Sequence, residues 1–89
     1  MRIIKEWSYE DMKCTLFLMS GKYSLKLEME LLEQTYKFRD GIFSQASDLT
    51  SMLNSDFYQE ALAVFKQMKV IKVKLSTNSQ DQFNFPSII

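Results

Sequence analysis

From Tyr23 to Leu31 the chain alternates strictly, with Tyr23, Leu25, Leu27, Met29 and Leu31 apolar and Ser24, Lys26, Glu28 and Glu30 polar between them. A period of two sends successive side chains to opposite faces of an extended strand. Such a strand has a dry side and a wet side, so it belongs to a sheet covered on one face, which is the habit of antiparallel sheets. The pattern fixes a fold class and leaves the chemistry open.

Three further strands flank it. The first spans about Ile3 to Tyr9, with Ile3, Trp7 and Tyr9 on one face and Ile4 on the other. Glu10-Asp11 makes a short polar link. The second spans Met12 to Met19 and is apolar on both faces, with Cys14, Leu16 and Leu18 on one side and Phe17 and Met19 on the other. Two-sided apolarity marks a central strand. Ser20-Gly21 is a tight-turn pair, the glycine supplying the positive φ that short hairpins need. After the alternating run, Leu31-Leu32 breaks the phase, so a turn or bulge is expected near Leu32-Glu33. The fourth strand then sets Gln34, Tyr36 and Phe38 against Thr35, Lys37 and Arg39, and Asp40-Gly41 ends it. Every link is too short for a parallel crossover, so the strands form an antiparallel meander.

Past Gly41 the period changes. Ser47-Asp48 and Ser55-Asp56 read as helix N-caps. Phe57, Ala61, Val64, Phe65, Met68 and Ile71 then recur at helical spacing. Val70 to Leu75 also alternates, and the reading favours continued helix over a fifth strand. The expected fold is α+β in two layers: a four-stranded antiparallel meander followed by a C-terminal α-helix packed on one face. Residues 1–75 are expected to form one domain. Residues 76–89, with Phe83, Phe85, Ile88 and Ile89, are expected to be a flexible or docking tail.

Eighty-nine residues with 46% hydrophobic content suffice for a single core. Eleven basic residues against eleven acidic ones lower the expectation of a nucleic-acid binder, whose affinity rests on phosphate contacts. One cysteine permits no internal disulfide, and no apolar run approaches the roughly 20 residues that cross a bilayer. A cytoplasmic protein without membrane contact is expected. The chain has no histidine, which removes the usual general base and the commonest metal ligand. Gly21 and Gly41 belong to no phosphate loop. No enzyme, metal site or cofactor is therefore expected. Cys14 reads as a small buried hydrophobe. Glu28 and Glu30 read as the solvated face of their strand, open to cross-strand ion pairs.

Four segments carry a resemblance: Lys13-Cys14-Thr15-Leu16-Phe17, Gly21-Lys22-Tyr23 leading into Leu25-Lys26-Leu27-Glu28, Leu32-Glu33-Gln34-Thr35-Tyr36-Lys37, and Phe65-Lys66-Gln67-Met68. Over Ile3 to Met68 the chain resembles a group of short, uncharacterised single-domain bacterial proteins. The resemblance implies a bacterial setting and a sheet-plus-helix fold, and no activity. Four antiparallel strands followed by a helix is also the order of Pur-alpha-like single-stranded nucleic-acid-binding modules, which commonly work as dimers; order alone does not transfer function.

Two functional expectations follow. The first is a non-enzymatic protein-interaction module, a homodimer joined through sheet edges or the less covered face, with Phe17, Met19, Phe83 and Phe85 as contact residues. The alternative is single-stranded nucleic-acid binding, with bases stacked on Trp7 and Tyr9 and phosphates met by Lys13, Lys37 and Arg39. Lys66, Lys69, Lys72 and Lys74 read as a basic helix end that favours the macrodipole.

Overall fold

The computed structural model describes residues 1–81. Four strands, β1 (Arg2–Tyr9), β2 (Met12–Met19), β3 (Lys22–Met29) and β4 (Leu32–Lys37), precede a short helix α1 (Ala46–Thr50) and a long helix α2 (Ser55–Asp81). The strands form one antiparallel sheet in sequence order, the α+β meander that the alternation implies.

Each hairpin closes over two residues, since Tyr9 pairs with Met12, Met19 with Lys22 and Met29 with Leu32. Short loops of this kind need left-handed backbone to match the strand twist. Glu10, Ser20, Gly21 and Glu30 supply it, with φ of 54°, 53°, 79° and 57°. The third turn therefore falls at Glu30-Leu31, earlier than the expected Leu32-Glu33. Met29 and Leu32 both pack toward α2, and Leu31 at the turn tip is 86% exposed. The phase break at Leu31-Leu32 is the turn itself, so β3 stops at Met29 and β4 starts at Leu32.

β1 also departs from the expected parity. Ile3 pairs with Phe17 and Lys5 with Leu16, so one extra residue, Ile4, sits between successive pairs. Such a bulge reverses the side-chain parity of the strand. Ile3 thus lies opposite the face that holds Trp7 and Tyr9, and Lys5 takes the place expected for it. Lys5 Nζ sits 5.4 Å from the centre of the Trp7 ring.

The covered face is built in rows across the sheet: Tyr9–Met12–Met29–Leu32, then Trp7–Cys14–Leu27–Gln34, then Lys5–Leu16–Leu25–Tyr36. Met12, Cys14, Leu25 and Leu27 are buried there under Ala61 and Phe65 of α2. Leu49 of α1 is also buried, holding the connection from β4 onto the same side.

Asn54, not Ser55, caps α2: its Oδ1 accepts from the Phe57 N–H at 2.9 Å. Ser47 likewise lies inside α1 rather than at its cap, a place held by Gln45 without a side-chain bond. The helical reading of Val70 to Leu75 agrees with α2, which runs on through residues 76–81, where a tail was expected. A helix of 27 residues extends about 40 Å, against about 26 Å for an eight-residue strand. The second half of α2 therefore passes beyond the sheet. Phe57 and Met68 pack against the core, whereas Val64 and Ile71 of the expected stripe face outward, with Val70, Val73 and Leu75 also exposed. Among the described residues no helix is long and apolar enough to cross a membrane.

Candidate functional site

The face of the sheet opposite α2 has two characters. Near the β1–β2 and β3–β4 turns the rows are Glu6–Thr15–Lys26–Thr35 and Ser8–Lys13–Glu28–Glu33. They are knitted by ion pairs: Lys13 to Glu6 at 3.5 Å, and Lys26 to Glu28 at 3.9 Å and to Glu33 at 3.7 Å. Thr15, at the centre, is only 3% exposed. Pairs this open to water each contribute a few tenths of a kcal/mol, so they form a solvated rim around the buried Thr15.

The next row, Ile3–Phe17–Ser24–Lys37, is different. The β1 bulge brings Ile3 alongside Phe17, and Met19 beyond it is 51% exposed. Phe17, Met19, Lys26, Glu33 and Lys37 border a shallow hollow of about 280 Å³. Phe17 and Met19 are thus brought together on the uncovered face, as strand parity implies. Phe83 and Phe85, nominated with them, lie outside the described residues.

The residues nominated for nucleic acid are not brought together. The Trp7 indole N–H donates to the Tyr58 hydroxyl at 2.8 Å. Tyr9 stacks on the Tyr58 ring at 4.3 Å and accepts a hydrogen bond from Gln59 Nε2 at 3.1 Å. Both rings are engaged by α2. Lys13 and Lys37 point from the other face, and Arg39 follows the end of β4.

The carboxylates also separate. Glu28 stays on the outer face, while Glu30 leaves the strand in its turn and meets Lys69 at 3.6 Å. Among the described residues no group of His, Cys, Asp or Glu stands together as a metal site.

Cys14 is fully buried, and loss of hydration pushes its thiol from 9.0 up to about 11. A thiol held neutral and out of reach is a poor nucleophile. Maleimide labelling of the native protein is expected to be slow and to become rapid only in denaturant. Because the folded-state value is the raised one, the stabilisation is complete below pH 9.0 and is lost as pH climbs toward about 11. Cys14→Ala should lack this part of the alkaline decline, which urea titrations across that interval would measure.

One polar residue proves more important than its pattern suggests. Gln34 shares the inner face with Leu32 and Tyr36 and is 6% exposed. Its Nε2 donates to the Ala61 carbonyl at 2.9 Å, and its Oε1 accepts from the Tyr36 hydroxyl. It ties β4 to the second turn of α2. The available sequence signal was a lone amide among apolar positions of one parity. Compared with protein-family models, curated proteins and solved structures, the chain matches none.

Proposed function

We propose that this chain is a small non-enzymatic protein-interaction module that works as a homodimer, meeting its second copy through parts of the sheet that α2 leaves uncovered. The observation that carries this reading is the one-sided cover. α2 lies over the inner face alone, the outer face keeps Ile3, Phe17 and Met19 in an apolar corner, and β1 and β4 are the outermost strands. Unpaired edge strands and exposed apolar corners are the places where sheet proteins associate. The nucleic-acid alternative lacks comparable support, because its rings and its cations occupy opposite faces.

Light scattering during size-exclusion chromatography, over a series of concentrations at low and high salt, tests the reading. A dimer that persists at high salt is expected, with no binding of a labelled single-stranded oligonucleotide. A monomer at every concentration would end the homodimer reading. Oligonucleotide binding that weakens steeply with salt would transfer the case to the alternative.

A further inference from the structure

We infer that β4 is the edge at which the second copy adds, antiparallel and with Thr35 against Thr35, so that two four-stranded sheets become one of eight strands. This rests on the homodimer reading and deepens it by naming the contact.

The Phe38 N–H bonds the Tyr23 carbonyl across the β3–β4 ladder at 3.0 Å. In an antiparallel ladder the N–H and C=O of one residue point to the same side, and successive residues alternate. Phe38, Tyr36, Gln34 and Leu32 therefore turn their backbone groups toward β3. Lys37, Thr35 and Glu33 turn theirs away, to the open edge. Among the described residues no strand pairs with that edge, which presents a row of donors and acceptors with no bulge along it.

A two-fold axis perpendicular to the sheet pairs an antiparallel strand with its own copy. With the axis at Thr35, the three outward-pointing residues are used together: Thr35 opposes Thr35, Glu33 opposes the second copy's Lys37, and Lys37 opposes the second copy's Glu33. Each of these pairs can exchange two N–H···O=C bonds. The side chains agree with the backbone. Glu33, Thr35 and Lys37 are all exposed on the outer face, so the register sets opposite charges against each other twice and a threonine pair between them. Glu33 already meets Lys26 at 3.7 Å within its own sheet, so the second copy's Lys37 would complete a lysine–glutamate–lysine row. On the inner face the same register sets Leu32 against Phe38 and Gln34 against Tyr36. Tyr36 and Phe38 wall an apolar hollow of about 270 Å³ with Phe43, Leu49 and Phe57, so this side of the strand is apolar beyond its own core.

Other registers fit less well. An axis at Glu33 or at Lys37 sets like charges face to face, which destabilises a cross-strand pair. An axis at Gln34 leaves Lys37 opposite Leu31 of the turn, and one at Tyr36 moves the Glu33 pair off the strand to Arg39. The other edge of the sheet is less suited. β1 carries the bulge between Ile3 and Lys5, a device that interrupts edge pairing, and its outward positions Glu6 and Ser8 offer no opposite charges.

The test combines light scattering with amide exchange on the wild type and on a small set of variants, each checked for wild-type circular dichroism. Thr35→Pro removes an N–H that points away from β3 to the open edge, and an edge strand tolerates proline at such a position. It is expected to be monomeric. Glu33→Lys and Lys37→Glu each turn attraction into repulsion, and each is expected to weaken the dimer about tenfold. The double variant with both changes should restore it. Dimerisation should protect the amides of Glu33, Thr35 and Lys37 in a concentration-dependent way. Phe17→Glu, on the open face, should leave the dimer intact. A folded, dimeric Thr35→Pro, or failure of the double variant to recover, overturns the β4 assignment. A dimer lost only in Phe17→Glu overturns it while leaving the homodimer reading in place, whereas a wild-type monomer removes both.

Discussion

Gln34→Glu is expected to destabilise the protein severely at neutral pH and far less in acid. At this buried position the new carboxylate would face the Ala61 carbonyl, acceptor against acceptor, where the amide now donates at 2.9 Å. A buried charge without a cationic partner costs about 3–5 kcal/mol, a large share of the roughly 5–15 kcal/mol that holds a small domain together. Protonation changes the sign of the contact, because a neutral acid can donate to the Ala61 carbonyl. The folded-state pKa is therefore raised above the usual value of about 4.3. The variant approaches wild-type stability below that usual value and loses it as pH rises through the raised one. Urea unfolding at acidic and neutral pH gives the answer. An equal loss at both would show that Gln34 does not act through its amide hydrogen.

The second large effect belongs to Phe65. It is fully buried and shares one core cluster with Met12, Cys14, Leu25 and Leu27 of the sheet. Phe65→Ala removes a ring for which no neighbouring side chain can substitute, at a cost of about 3–5 kcal/mol. The contrast lies two turns later on the same helix. Ile71 is 56% exposed, past the end of the core, and Ile71→Ala is expected to shift stability by no more than about 0.5 kcal/mol. Midpoints of thermal or urea unfolding for the two variants compare them directly. Similar losses would mean that the overhanging half of α2 is packed against something other than the described residues of the chain.

The fold was legible where side-chain parity and turn residues agree. The bounds of β2 follow from its two-sided apolarity between Glu10-Asp11 and Ser20-Gly21. Parity also placed Phe17 and Met19 together on the uncovered face. It failed where the backbone conformation of one residue decides the outcome. Leu31 looks like a core residue in the alternating run, but Glu30 adopts φ of 57° and carries it into the turn. Ile3 and Ile4 are equally apolar, so nothing in their identity announces that Ile4 is the extra, bulged residue. Asn54 and Ser55 are adjacent and both good caps, and only the bond to the Phe57 N–H distinguishes them. The link from Gln34 to Ala61 joins residues far apart in the chain and exists only once α2 has docked. The orientation of the β4 edge is harder still. It depends on the third hairpin turning at Glu30-Leu31, because a turn displaced by one residue would exchange which backbone groups face outward.

The hairpins also limit how this molecule can change over evolutionary time. With two-residue connections throughout, gaining or losing a single residue in one of them sets the strands on its two sides out of phase; in the β2–β3 connection it would send Leu25 and Leu27 to solvent and Lys26 to the interior. Away from Thr15 and the β4 edge, substitutions can accumulate on the wet side, while the spacing between strands is locked like the pitch of a gear. The extra residue at Ile4 is the one place among the described strands where an odd count has already been absorbed, and it lies ahead of every hairpin, where a change in length disturbs nothing downstream.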